Sequence, residues 1–593
     1  MENTLREKQQ AIIIDNQKRA HRWGFKGSGF VVSEDQFTFK SDRPEFSFFA
    51  NQPLPDFLPY VFDMLGTNIV AEGKNEEIIH KSVQPPQSND DFLAELSSIL
   101  PEERYTSEDY TRLIHSHAQT TSEEVYKILY NGTLPRVVDL VVFPKSEQEV
   151  LQLIKLATTQ NVCLIPFGGG TSVSSAILVP ESEQRMVVSV DMRMMNAIEW
   201  IDEANGLACI QAGIVGRHLE EKLSEAGYTM GHEPDSIEFS TLGGWIATNA
   251  SGMKRNKYGN IEDIVQNFVL ATPTGILKKT ARHDRVSMGM PVEKAVFGSE
   301  GNIGIITSAI VRIHPKPACK EYESIVFPHF DEGLAFLRSL SKSFIRPASI
   351  RLVDNNQFKF GLVLKPKESD FFKKLLDKLK KYYILKIRKM DPDQMCLATI
   401  VMEGSKEEVH LQKKIVKQVA GYFNTILAGG GNGKRGYALT NVIAYIRDFL
   451  MDYHCIGETL ETTIQWDRVS VLGKALEEVL LEQHSHYKLP GKPYLSYRVT
   501  QLYHSSVCVY IMFGIYTKDV EQPEEVFKKI EEKMREKVLK HGGSISHHHG
   551  VGKLRKSFIK DAMSAEHIQL AGAVKKQLDP KNIFGAGNTY DLI

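Results

Sequence analysis

Pro166-Phe167-Gly168-Gly169-Gly170-Thr171-Ser172 follows directly on the apolar, strand-like run Val162-Cys163-Leu164-Ile165. Three consecutive glycines can take backbone conformations closed to other residues and can present bare N–H groups to an anion. A second glycine segment, Glu300-Gly301-Asn302-Ile303-Gly304-Ile305-Ile306, lies far downstream. Together the two describe a cradle for the pyrophosphate of a dinucleotide. A nicotinamide-binding fold would need G-x-G-x-x-G to open a helix, with an acidic residue about 20 positions on. Here Thr171-Ser172-Val173-Ser174-Ser175 and Pro180 continue as loop, so a flavin is the expected dinucleotide.

Working outward, Val137–Val142 reads as a strand, and Ser146-x-x-Glu149 as a capping box before Val150, Leu151, Ile154 and Ala157 at helical spacing. Further strands are expected at Met186–Val190 and from Leu207. A run of small, hydroxyl and glycine residues, Gly231-His232-Glu233-Pro234-Asp235-Ser236-Ile237-Glu238-Phe239-Ser240-Thr241 through Thr248-Asn249-Ala250-Ser251, is poor core material and suits the wrapping of a polar planar ligand. Residues 1–130 mix short apolar runs with proline-bearing connectors and read as a mainly helical preface.

The chain has 593 residues, enough for two or more domains with large buried surfaces. Its formal charge of -1 supplies no overall positive field for nucleic acid. Six scattered cysteines without a C-x-x-C pair indicate neither a disulfide framework nor a zinc site, and the chain reads as intracellular. No stretch is long enough to span a bilayer, and the terminal Asp591-Leu592-Ile593 is not a peroxisomal tripeptide.

The glycine and small-residue segments resemble the FAD-binding domain of the vanillyl-alcohol oxidase family. Gly231-His232-Glu233-Pro234-Asp235-Ser236, Ser349-Ile350-Arg351-Leu352, Ala444-Tyr445-Ile446-Arg447-Asp448, Trp466-Asp467-Arg468-Val469 and Ser546-His547-His548-His549-Gly550-Val551-Gly552-Lys553-Leu554-Arg555-Lys556 narrow the match, from about residue 90 to 586, to the alkyldihydroxyacetonephosphate synthases. The resemblance implies an α+β fold: an FAD domain of two α+β subdomains (131–316), an α+β cap (317–560), and a C-terminal segment (561–593) that returns to the FAD domain. It implies that residues 166–172 and 300–306 border the pyrophosphate while 235–241 and 248–251 line the rest of FAD.

The implied reaction exchanges the acyl chain of acyl-dihydroxyacetone phosphate for a long-chain alcohol, through a covalent flavin–substrate adduct and without net redox change. Tyr510 matches the family's proton-transferring tyrosine, although a phenol with an ordinary pKa near 10 needs cations or donors nearby to act as a base. His547, His548 and His549 match residues assisting proton transfer, with at least two rings expected to point apart. Arg447 matches a substrate-phosphate arginine and Arg351 another arginine needed for activity, and either could instead form a buried ion pair with Asp448 or Asp354. A peroxisomal location and a homodimer follow from the family. The rival within the fold is an FAD-dependent D-2-hydroxy-acid dehydrogenase, whose Glu-His-Gly motif is matched here by His548-His549-Gly550, without the carboxylate.

Two segments are read from pattern alone. Phe371–Tyr383 places Phe372, Leu375, Leu376, Leu379 and Tyr383 on one helical face and lysines on the other, as a membrane-surface helix would. Gly429–Gly436 lacks the Ser or Thr of a phosphate loop after Gly433-Lys434 and reads as a surface turn.

Overall fold

The computed structural model describes residues 18–19, 21–33, 36–74, 83–280, 283–366 and 382–589. Around the glycine loop stand two sheets. One has four strands in the order Tyr105–Thr106, Leu140–Val142, Val187–Asp191, Cys163–Phe167, the last three parallel. Its three parallel strands are buried on both faces, which is why they read as unbroken apolar runs. The other is antiparallel, in the order Gly275–Lys278, Val265–Thr272, Ile305–Arg312, Leu207–Gln211, Ile198–Asp202. The triple glycine leaves the end of Cys163–Phe167, and Gly301–Gly304 leads into Ile305–Arg312, so both segments reach the same edge of the domain. Helix Glu147–Gln160 starts at Ser146, whose hydroxyl accepts from Glu149 N at 3.2 Å. The reciprocal half of the expected capping box is missing, because Glu149 is drawn away to a bidentate pair with Arg104 (2.7 and 2.8 Å) and to Lys145 N.

The cap is a seven-stranded antiparallel sheet ordered Ile426–Leu427, Cys319–Phe327, Cys396–Gly404, Ser349–Val353, Tyr494–Leu502, Ser506–Tyr516, Cys455–Gln465. Alternation, broken by a bulge between Val499 and Gln501, divides its two faces. Ile350 and Leu352, Val499, and Val507, Val509, Ile511, Phe513 and Ile515 join one hydrophobic cluster with the helices Phe330–Ser341, Lys406–Ala420, Val469–His486 and Pro523–Lys540. Arg351, Arg498, Tyr510 and Met512 therefore fall on the other face, toward a cavity shared with the glycine-loop domain.

The N-terminal preface carries a strand pair beside its helices: Gly29–Ser33 pairs with Gln36–Lys40, and Phe37 and Phe39 of Gln36-Phe37-Thr38-Phe39-Lys40 are buried. Phe37 stacks on Phe57 at 3.9 Å, and this aromatic cluster packs on Tyr445 and Phe449 of the helix Thr440–Met451. The glycine run read as a surface turn is the helix Gly430–Ala438. Its glycines serve close packing on the sheet, since a Cβ at Gly433 would lie 2.4 Å from Glu323 O and one at Gly430 2.7 Å from Tyr322 O. Residues 371–381 of the expected membrane-surface helix lie outside the described residues. Among the described residues no helix is long and apolar enough to cross a membrane.

The chain's end returns to the glycine-loop domain: Leu164 bridges Phe584 in parallel, and buried Lys575 on the helix Ala565–Leu578 donates to Asn302 O (2.6 Å), Phe584 O (3.2 Å) and Asp579 (2.5 Å). Replacing Lys575 by Met leaves Asp579 buried beside an aliphatic chain. The expected cost is about 3–5 kcal/mol, read as a lower chemical or thermal unfolding midpoint; an unchanged midpoint would mean that this anchor is dispensable.

Candidate active site

The glycine loop meets the 239–241 segment with no space to spare. A Cβ at Gly168 would lie 2.4 Å from Thr241 Oγ1 and one at Gly169 1.9 Å from Phe239 O, while Gly170 has φ +65°. Glycine is thus imposed on Gly168 by the Thr241 side chain, on Gly169 by the neighbouring backbone and on Gly170 by conformation. Among the described residues the N–H groups of Gly169, Gly170, Thr171 and Ser172 have no protein acceptor, although these residues line a cavity of about 480 Å³. Unpartnered amides on a concave wall fit a dinucleotide's pyrophosphate.

All of Pro166–Ser172 line this cavity, with Asp235, Ser236, Ser240, Thr241, Thr248, Ala250, Ser251, Glu300, Gly301, Gly304, Ile305 and Ile306. The other expected cofactor residues stand behind the wall. Ile237 packs in the core, Glu238 pairs with Arg217, and Phe239 meets Trp23 edge-on at 5.1 Å. Asn249 ends the helix Leu242–Thr248 at φ 53°, Ile303 is core, and buried Asn302 accepts Lys575 on its carbonyl. Glu300 acts as a clamp: its carboxylate accepts Ser174 Oγ, Val551 N, Gly552 N and Thr589 Oγ1, tying the loop after the triple glycine to the residues after the histidine run.

On the cap side, Tyr510 and Arg498 are direct cross-strand partners, and the guanidinium lies 4.1 Å from the centre of the phenol ring. The phenol also shares a hydrogen bond with Thr459 Oγ1 at 3.1 Å. Burial pushes the Tyr510 hydroxyl above its ordinary value, and Arg498 opposes the shift without reversing it. Arg351 donates to Thr440 Oγ1 (2.6 Å) and to Asp235 (3.0 Å), so its ion pair is with the flavin-side segment and not with Asp354. Asp354 instead caps the helix Asn355–Val363 and accepts Tyr497 N, its carboxyl pushed up to about 7 by burial.

Arg447 lines the cavity but is already engaged: it donates twice to Asp448 (3.0 and 2.6 Å), to Thr120 O (2.6 Å) and to Gln119 O (2.8 Å). Asp448 in turn accepts Trp23 N, and Tyr445 accepts Phe25 N. The Ala444–Asp448 motif therefore fastens the N-terminal segment to the cap as well as facing the cavity.

The histidine run is held by Glu461, the register partner of Tyr510 on the neighbouring strand. Its carboxylate accepts Ser546 Oγ and the N–H groups of His547, His548 (3.2 Å) and His549 (2.7 Å). The carboxylate missing beside His549 in sequence is thus supplied through space, with Glu461 Oε1 3.6 Å from His549 Nδ1. Burial alone would raise the Glu461 carboxyl; in the acid range the imidazoles, as they protonate, together with the Ser546 donor hold it well below the usual range. Burial lowers His547 to about 3 and depresses His548 and His549 despite Glu461, so the rings are neutral at neutral pH.

The rings do point apart. His548 and His549 line the cavity, 6.0 and 5.3 Å from Tyr510 between ring centres, whereas His547 turns to Tyr503. Cys508, His547 and His548 bring ligand-type atoms within 4.8 Å of one another, but the two imidazoles spend their Nδ1 atoms on a mutual hydrogen bond of 2.8 Å. Arg498, Glu461 and Tyr503 were not singled out from the sequence. Arg498 was legible in principle, as the polar phase of an alternating strand; the other two act through partners distant in the chain.

Comparison with known proteins agrees with this geometry. The family described as "FAD binding domain" matches residues 138–281, and "FAD linked oxidases, C-terminal domain" matches 316–589. Alkyldihydroxyacetonephosphate synthase of Caenorhabditis elegans is 38% identical over 574 residues, 96% of this chain and 95% of that protein. The enzyme of the same name from Dictyostelium discoideum is 34% identical over 86% of this chain and 81% of its own length. A solved structure of an alkyldihydroxyacetonephosphate synthase superposes with a TM-score of 0.82 at 28% identity, covering 96% of this chain and 98% of the other.

Because a methyl group at position 169 would collide with Phe239 O, Gly169→Ala is expected to displace the loop and sharply lower flavin content. The flavin-to-protein absorbance ratio of the purified variant checks this; a wild-type ratio would refute the assignment of the loop.

Proposed function

This chain belongs to the alkyldihydroxyacetonephosphate synthase family of FAD-dependent enzymes, and we propose how its own residues divide the work of replacing the acyl chain of acyl-dihydroxyacetone phosphate by a long-chain alcohol. The observation that carries the reading is the convergence of Tyr510, Arg498, His548 and His549 on the cavity that also contains the unpartnered amides of the glycine loop. FAD, when bound there, supplies an electron-poor ring able to hold the substrate carbon while its oxygen substituent is exchanged.

Everything else is positioning and proton handling. The substrate's phosphate is drawn to the guanidinium groups of the cavity wall, Arg351, Arg447 and Arg498, for which a planar fork is better suited than a lysine. Arg447 contributes mainly through charge, since four hydrogen bonds already hold it. Tyr510 enters the cycle as a neutral phenol. It removes a proton from the carbon beside the ketone by passing its own proton on, and the neutral imidazoles of His548 and His549 are the acceptors at hand. The same imidazoles then take the proton of the incoming alcohol, and the first proton is returned through Tyr510 to the carbon, so that only the alcohol's proton is left over. The wall formed by Phe358, Phe360, Leu439, Ile443 and Leu450 gives the long chains an apolar lining.

Peripheral attachment to a membrane is part of the proposal. Both substrates carry long chains, and Tyr382 and Ile387, just after the lysine-rich segment, are 60% and 58% exposed. A peroxisomal location and a homodimer are proposed on the family resemblance.

The second reading, oxidation of a D-2-hydroxy acid, draws support from Glu461 beside His549. The two differ in what happens to the flavin. Incubation with acyl-dihydroxyacetone phosphate and labelled hexadecanol is expected to give labelled ether product with the flavin still oxidised; bleaching by D-lactate without ether formation would favour the rival. Tyr510→Phe is expected to lower turnover by about 100-fold or more with flavin content unchanged. Turnover close to wild type would remove Tyr510 from the proton path.

A further inference from the structure

Exchange of the acyl chain creates a proton-disposal problem. The bond between the substrate carbon and the ester oxygen breaks, a bond from that carbon to the alcohol oxygen forms, and the alcohol's proton is left over. The fatty acid leaves as a carboxylate at neutral pH, so one proton must quit the cavity in each turnover while no electrons are exchanged. This reasoning rests on the alkyl-exchange reading for that proton count.

Behind the histidine run lies a second, smaller cavity of about 210 Å³, lined by polar side chains that include Ser251, Asn260, Glu262, Tyr503 and His547. Glu262 is exposed, and Ser251 lines both cavities. A continuous set of hydrogen bonds joins the two spaces. His548, on the main cavity, shares a hydrogen bond with His547 between their Nδ1 atoms (2.8 Å), and His547 Nε2 shares one of 2.6 Å with the Tyr503 hydroxyl. Asn260 Nδ2 donates to that hydroxyl (3.3 Å) and to Glu262 (3.2 Å).

We propose that His548, His547 and Tyr503 form a proton exit from the reaction cavity to the polar side cavity and Glu262. A proton taken at His548 Nε2 displaces the one on His548 Nδ1 to His547 Nδ1. The His547 Nε2 proton then moves to the Tyr503 oxygen, whose own proton leaves into the side cavity. Each imidazole ends as the other tautomer and is reset by a turn of the ring, not by return of the proton along the chain. Only neutral rings, which both give and accept, can work in series in this way.

The surroundings fix the geometry. Glu461 anchors the backbone of both histidines, and the Arg255 guanidinium lies 4.0 Å above the Tyr503 ring. Tyr503 and His547 touch neither substrate nor flavin in this account, and act through His548.

Tyr503→Phe keeps the ring under Arg255 and removes only the hydroxyl. The expected result is a kcat lower by about 100-fold, with unchanged KM for both substrates, flavin content and melting temperature. His547→Gln should give a comparable loss, and the double variant little more, because both interrupt one path. Wild-type enzyme assayed in mixtures of H2O and D2O should show a curved dependence of kcat on deuterium fraction, the mark of several protons in flight. A straight line, or a Tyr503→Phe enzyme with wild-type kcat, overturns the relay. Failure of the wild type to form ether at all overturns instead the alkyl-exchange reading on which the proton count rests.

Discussion

One buried carboxylate organises the reactive face. Glu461 accepts three successive backbone N–H groups and a serine hydroxyl, turning a loop 86 residues away into a rigid anion-bound turn. Without it three amides would lose their acceptor, at about 1–3 kcal/mol for each that stays buried. Its position is set in turn by strand register, because Glu461 lies opposite Tyr510 on the adjoining strand. The tyrosine, the histidines and the relay behind them are thus indexed to one residue.

The opposing wall is indexed differently. There the triple glycine, pressed against Phe239 and Thr241, exposes amides that no protein group among the described residues satisfies, and Glu300 ties that loop to the residues after the histidines. Arg351 with Asp235, and Lys254 between Glu233 (2.8 Å) and Glu403 (3.1 Å), join the two domains across the cavity. The site is therefore an interdomain one, in which the glycine loop follows a strand of one sheet while Tyr510, Arg498 and Glu461 lie on another.

What could be read in the sequence follows from this division. The glycine loop, the flanking strands and the small-residue segment were legible because their signals are local: backbone freedom, alternation and capping within a few residues. Membership of the cavity wall was legible only by segment. Ile237, Phe239 and Ile303 lie in cofactor segments yet face the packing, since a segment that wraps a ligand must also turn its alternate side chains inward. Glu461 and Tyr503 gave no local sign, because each is defined by a partner across the sheet or in the histidine turn, whereas Arg498 showed only as the polar phase of an alternating strand. The helix Gly430–Ala438 escaped for the opposite reason: its glycines oppose helix formation locally, and close packing on Cys319–Phe327 overrides them. Arg447 shows the limit of a carried-over role, for its motif also ties the N-terminal segment to the cap through Asp448 and Tyr445.

The central claim is that a carboxylate, held anionic, positions the histidines opposite Tyr510 for exchange without redox. Glu461→Gln tests it most directly, since an amide has one acceptor oxygen where the turn needs several and carries no charge. Measured as kcat for ether formation alongside flavin content, the account predicts a loss of about 100-fold or more with FAD still bound. Wild-type turnover by a flavin-loaded Glu461→Gln enzyme would contradict it.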